Sequence, residues 1–126
     1  MYSCILFFSL LNGLDPAFTQ SVIKVESRGN PLALGKLGDS GLLQIRHQFV
    51  PETQAQLFQP CTNVMRGTQL LGHLKRKYRF DRAWFVAYNT GERTYRRLKW
   101  PAKFAYYKKV MAQYDTIPVK TALSAN

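Results

Sequence analysis

The residues whose types and spacing suggest chemistry cluster between Val25 and Ile45. Glu26 follows Phe18, Val22 and Val25 at helical spacing, so its carboxyl falls where the apolar stripe of a helix would continue inward. A carboxylate held there is costly unless it is paired or neutral, and a raised pKa is what a general acid needs near neutral pH. A turn-rich segment follows, with Gly29, Asn30, Pro31, Gly35, Gly38 and Gly41, and then Leu42, Leu43 and Ile45 around the single polar residue Gln44. Gly41 permits a close backbone approach, and the Gln44 amide offers both a donor and an acceptor to an amide-bearing ligand. Each feature also has a plain structural explanation. A lone glutamate at a helix end is usually solvated or part of a cap, and one polar residue among Leu and Ile is usually a satisfied core amide.

Further along, Tyr88-Asn89-Thr90-Gly91 pairs an aromatic ring with an amide, a combination suited to a sugar ring and its N-acetyl group. Asn89 reads equally as a helix C-cap with Gly91 beyond it. In Tyr106-Tyr107-Lys108-Lys109, periodicity places Tyr107 in the core and leaves Tyr106 free to face either way. His47 and His73 stand at no metal-ligand spacing to either cysteine, and no cofactor motif is present.

The elements that must position these residues are mostly helices. Asp15-Pro16 reads as N-cap and first residue of the helix that carries Glu26, with Gly29 ending it. Leu42 to Phe49 reads as a short helix stopped by Pro51, and residues 51–62 as a loop with one helical turn. Asn63 is expected to cap a helix that buries Val64, Gly67, Leu71, Leu74 and Tyr78 and exposes Lys75, Arg76, Lys77 and Arg79. Asp81 caps a short helix through Trp84, Phe85 and Tyr88. A basic link from Glu92 to Trp100 then leads to a last helix begun by Pro101, with Phe104, Tyr107, Met111 and Tyr114 on its buried face. No strand run stands out, and the expectation is a single mainly α domain over residues 1–116, with a loose polar tail over 117–126.

At 126 residues the chain is long enough for one core and not for two. A hydrophobic content of 46% with 13% aromatics excludes a disordered segment. The net charge is +11, and 13 of the 18 Lys and Arg lie between Arg66 and Lys109, against Asp81 and Glu92 alone. Such asymmetry implies attraction to a polyanion, whether nucleic acid, anionic lipid or an anionic cell wall. Cys4 to Leu11 is apolar enough for the core of a signal peptide, but it lacks a basic leading region and a small-residue cleavage site and is too short to span a bilayer. It reads as a helix of the domain or as the remnant of a signal. Cys4 and Cys61 permit one intramolecular bridge, and two buried thiols are equally compatible with the composition.

Taken in order, Glu26-Ser27, Asn30-Pro31, Gly41-Leu42-Leu43-Gln44-Ile45, Asn63 with Gly67 and Leu71, Tyr88-Asn89-x-Gly91 and Tyr106 resemble the soluble (SLT-type) lytic transglycosylases. These are lysozyme-like, goose-type enzymes that cut peptidoglycan, and the resemblance runs from about Leu14 to Tyr114. It implies a lysozyme-like fold with at most a small β-hairpin near residues 32–40. It implies Glu26 as the single catalytic acid/base, with Ser27, Gly35, Asp39, Gln44, Tyr88, Asn89 and Tyr106 around the substrate and neither metal nor cofactor. Pro60-Cys61-Thr62-Asn63, with Cys4 ahead of Glu26, is similar to the branch serving conjugation and type III or IV secretion. There the two cysteines pair, which implies a Cys4–Cys61 disulfide and makes residues 4–12 the first helix. The implied partner is the peptidoglycan glycan strand, with a secretion, conjugation or phage assembly as host machinery. The implied setting is the periplasm or cell envelope, for a monomer that does not engage nucleic acid.

Four positions depart from the family pattern: Arg46 and His47 replace the more usual apolar or small residues after Gln44-Ile45, and two more lie in the glycine-rich segment. Gly35 stands where many members carry Ser, and Asp39 brings a second carboxylate near the site. Asp39 therefore keeps open a lysozyme-type hydrolase using Glu26 with Asp39, and the charge keeps open a non-catalytic basic binding module.

Overall fold

The computed structural model describes residues 1–118. The loose tail expected over 117–126 lies, beyond Pro118, outside the described residues. Among the described residues, seven α-helices and one small hairpin follow in chain order: α1 (Tyr2–Leu11), α2 (Pro16–Ser27), β1 (Asp39–Ser40), β2 (Ile45–Arg46), α3 (Gln54–Leu57), α4 (Pro60–Lys77), α5 (Val86–Thr90), α6 (Glu92–Arg97) and α7 (Phe104–Asp115). Helix α2 packs on α1 and α7, and α1 packs in turn on α4.

Helix α2 starts as its sequence dictates. The Asp15 side chain accepts the Ala17 N–H at 2.9 Å, and Pro16 fills the first turn, where an N–H has no helical partner. Phe18 and Val22 are fully buried, and each such side chain contributes roughly 1.5–3 kcal/mol. The Phe18 ring lies 5.3 Å from that of Trp84 and 5.1 Å from that of Phe85, forming the aromatic centre of the core. At the other end the left-handed C-cap is Arg28 (φ 55°), one residue before the expected Gly29.

Several local expectations are corrected. Asn63 does not cap α4, which begins at Pro60. It is fully buried and clamps the hairpin: Oδ1 accepts the Leu43 N–H, and Nδ2 donates to the Ser40 and Leu57 carbonyls, all at 2.8 Å. Leu42 to Phe49 is not a helix. It turns through Leu42 and Leu43, forms β2, and ends in a 3-10 turn over His47–Phe49. The small hairpin is present: it pairs Asp39 with Arg46 and Ser40 with Ile45, so its first strand closes the expected 32–40 segment and its second lies beyond it, with one isolated bridge from Leu34 to Ser40. The basic link expected from Glu92 to Trp100 contains α6, pinned by the buried Tyr95 ring. In α7 the fully buried residue is Val110, with Tyr107, Met111 and Tyr114 packed beside it and Phe104 exposed.

Two glycines explain how the hairpin seats on α4. A Cβ at Gly41 (φ 77°) would stand 2.3 Å from Asn63 Nδ2, and one at Gly67 would stand 2.3 Å from Leu43 Cδ1. Neither position has room for a side chain, and Gly41 also needs a backbone that glycine adopts freely. Cys4 and Cys61 are joined in a disulfide, tying the first turn of α1 to the start of α4.

Candidate active site

Glu26 projects from the last turn of α2 into a cavity of about 610 Å³. Its walls come from the hairpin (Asp39, Gln44, Arg46), from α4 (Leu70, His73, Leu74) and from α5 and its C-terminal turn (Tyr88, Asn89, Gly91). Tyr106, on α7, donates its hydroxyl to Glu26 Oε2 at 2.5 Å. Periodicity had left Tyr106 free to face either way, and its hydroxyl turns to the acid.

Electrostatics at Glu26 follow from these neighbours. Burial pushes its carboxyl above the ordinary glutamate range, the Tyr106 hydrogen bond partly offsets this, and the Asp39 charge pushes it up further. The phenols of Tyr88 and Tyr106 are raised well above their ordinary value, first by burial and then by the Glu26 charge. Both therefore remain neutral donors at any physiological pH. Tyr88 donates to the Leu43 carbonyl, which fixes its ring against the Gln44 turn.

Asp39 is held differently. Arg46, its cross-strand partner, places Nε 2.7 Å from Asp39 Oδ1. Gln44 is a non-glycine residue at positive φ (50°), and its Nε2 donates to the carbonyls of Ala33 and Gly41 at 3.1 and 3.0 Å. With its amino group thus committed to backbone, the amide oxygen is the polar atom it has left to offer. That oxygen would lie 2.9 Å from a Cβ at position 35, with Asp39 Oδ2 at 3.2 Å from the same point. The absent side chain of Gly35 thus leaves room for the carboxylate of Asp39, so these two positions share one space.

Of the residues singled out from sequence, Glu26, Asp39, Gln44, Tyr88 and Asn89 line one cavity, with Tyr106 bonded to Glu26. Gly35 sits behind Gln44 and Asp39. Ser27 is not brought to the cavity. It is buried, donates to the Ile23 carbonyl at 3.0 Å and accepts the Gly29 N–H at 3.2 Å, so it closes the helix end. Asn89 lies within α5 and is not a C-cap. Leu70, His73, Phe49 and Glu92 were not singled out as cavity residues, since their places depend on how α4, the 3-10 turn and α6 meet. Among the described residues no group of three or more His, Cys, Asp or Glu is placed to hold a metal ion.

The profile of the transglycosylase SLT domain matches residues 3–111. The chain belongs to this family. Its fold is also that of the 70 kDa soluble lytic transglycosylase of Escherichia coli, with a TM-score of 0.68 over 79% of this chain and 21% of that one at 23% identity. The chain thus spans about a fifth of the length of that protein, and at this identity the likeness is one of fold. No curated protein sequence matches the chain. The family membership agrees with the motif order, and the mainly helical architecture with one small hairpin is the lysozyme-like fold those motifs imply.

Proposed function

We propose that this domain is a peptidoglycan lytic transglycosylase in which Glu26 is the single acid/base. The observation that carries this reading is the Glu26–Tyr106 pair at the wall of the cavity: one acid, raised by burial and held by a neutral phenol. Glu26 in its protonated form gives its proton to the glycosidic oxygen between N-acetylmuramic acid and N-acetylglucosamine, and the bond from that oxygen to the muramic acid anomeric carbon breaks. The N-acetyl group of the substrate assists departure in place of a second protein carboxylate. Glu26, now ionised, takes the proton of the muramic acid 6-hydroxyl, whose oxygen closes on the anomeric carbon. The product is a 1,6-anhydro ring, formed without water, and Glu26 ends protonated as it began. Gln44 and Asn89 hold the sugar and its N-acetyl group, Tyr88 shapes the wall, and Tyr106 keeps the Glu26 carboxyl aimed into the cleft.

A second reading, hydrolysis with Asp39 as partner, draws support from the place of Asp39 in the same cavity and from its charge acting on Glu26. The Arg46 ion pair weighs against it, because the guanidinium already occupies Asp39 Oδ1, where an attacking water would have to be held. The net charge of +11 suits an anionic wall, and the Cys4–Cys61 bridge supports assignment to the conjugation and secretion branch and to the cell envelope. The test is Glu26→Gln on purified peptidoglycan, with folding followed by circular dichroism. The expected result is a folded protein without activity, and undiminished cleavage would refute the assignment.

A further inference from the structure

Helix α1 has a face that nothing among the described residues covers. Ile5 and Ser9 are buried and Phe8 packs on the core, while Tyr2, Leu6, Phe7, Leu10 and Leu11 are 40–67% exposed. These five recur at spacings of three, four and five along one side of a helix about 15 Å long. No residue from Tyr2 to Leu11 is charged. A contiguous exposed apolar face of this kind marks an interaction surface.

The charge beside that face identifies the partner. The C-terminal end of α1 is bordered by cations of α4: Lys75 Nζ donates to the Gly13 carbonyl at 2.7 Å, and the Arg76 guanidinium lies next to Asn12 against Gly72. Arg79, one turn further on, stands 4.9 Å over the ring of Phe80, which is 92% exposed. Asp15, the acid nearest in sequence, is fully buried and accepts from Ala17 and Tyr114, and its charge acts on Lys75, which leaves Arg76 as the exposed cation at this end of α1. An apolar helix face with cations at its end matches the interface of an anionic bilayer, where rings and aliphatic chains sink to the acyl boundary and cations meet phosphates. No helix among the described residues is long and apolar enough to cross a membrane, so α1 would lie on the surface.

The geometry of α4 adds an orientation. Cys61, Thr68 and Gly72 face α1, through the disulfide, through the Asn12 hydrogen bond to Thr68 and through the close approach of Asn12. Leu70, His73 and Leu74 line the cavity from the opposite side of the same helix. We propose that α1 docks this domain on an anionic lipid surface through Tyr2, Leu6, Phe7, Leu10 and Leu11, with Arg76 against the headgroup phosphates and the cleft facing away. The docking goes beyond the proposed activity and does not depend on it.

The test is co-sedimentation of the full chain with vesicles of phosphatidylcholine alone and of phosphatidylcholine mixed with phosphatidylglycerol, at physiological salt. The expected result is binding to the mixed vesicles that falls at least about tenfold in Phe7→Ser/Leu11→Ser and about fivefold in Arg76→Gln. Phe7→Trp, a conservative reporter, should gain quenching by brominated lipid over the parent protein even if the double variant misfolds. Cleavage of purified peptidoglycan by Phe7→Trp should be unchanged, which separates docking from catalysis. Equal vesicle binding by the folded double variant would mean adsorption by charge alone and would overturn the proposal. So would absence of added quenching in Phe7→Trp, or a dimer of the parent chain that the double variant abolishes.

Discussion

Glu26 ends a helix whose N-cap and buried stripe are regular, and its hydrogen-bond partner is a neutral phenol from α7. Asp39 begins a two-residue strand in the glycine-rich segment, and its partner is the cation directly across the hairpin. The same functional group is thus desolvated beside a phenol in one half of the cavity and paired with a guanidinium in the other. Lysozyme-type chemistry with two carboxyl groups needs both available, one as acid and one as nucleophile or base. Here the element that carries each acid sets its partner. A rigid helix end can hold a desolvated carboxyl in place, whereas a hairpin places a cation opposite its anion through register alone.

The comparison can be strained first by loosening the scaffold without touching either acid. The Cys4→Ser/Cys61→Ser variant opens a loop with a sequence separation of 57 and is expected to lose about 4 kcal/mol in a denaturant titration. Its cleavage per folded molecule should stay close to the parent's. Asn63→Ala strikes the hairpin alone. It leaves the Leu43 N–H and the Ser40 and Leu57 carbonyls without their partner, at a cost of about 3 kcal/mol, and should impair turnover by unseating Gln44 and Asp39.

Smaller changes address the acids themselves. Tyr106→Phe removes the hydrogen bond that lowers the Glu26 pKa, so the alkaline limb of the activity profile should move to higher pH while turnover drops about tenfold. Asp39→Asn removes a like charge that raises Glu26, so the same limb should move to lower pH, with turnover changed by no more than a few-fold. Opposite shifts from two neighbours of one carboxyl are hard to obtain unless that carboxyl is Glu26. Stability gives a third view. The folded-state pKa of Glu26 lies above its unfolded value, so its contribution is fully present below the unfolded pKa and is lost as pH rises through the folded one. Glu26→Gln should therefore gain stability relative to the parent as pH rises through that window and match it at acid pH, as thermal melts at several pH values would show.

Much of the site was legible because it depends on local rules. Asp15-Pro16 starts α2, Phe18 and Val22 set its buried face, and that face carries Glu26 inward. Gly41 and Gly67 were visible as glycines, but the reason for them, close contact with Asn63 and Leu43, is tertiary. Asn63 shows the limit well. Its side chain suits a cap by type, yet it became an internal clamp because the hairpin's orphaned backbone groups arrive from 20 and more residues away. The hairpin itself gives no alternating run, since each strand is two residues long and is held by turns and by Asn63. Helix α6 hid in a basic run because it buries one residue, Tyr95, and so shows no apolar period. Ser27 looked like part of a motif and turned out to satisfy its own helix end. Arg46, noted as unusual beside Gln44-Ile45, acquires its meaning with the register that sets it opposite Asp39.

Mass spectrometry of the muropeptides released from purified peptidoglycan, by the parent protein and by Asp39→Asn side by side, tests the division of labour between the two acids most directly. Glu26 acting alone predicts 1,6-anhydro muramic acid ends from both proteins. Reducing ends, one water heavier, from the parent protein and their loss in Asp39→Asn would contradict it.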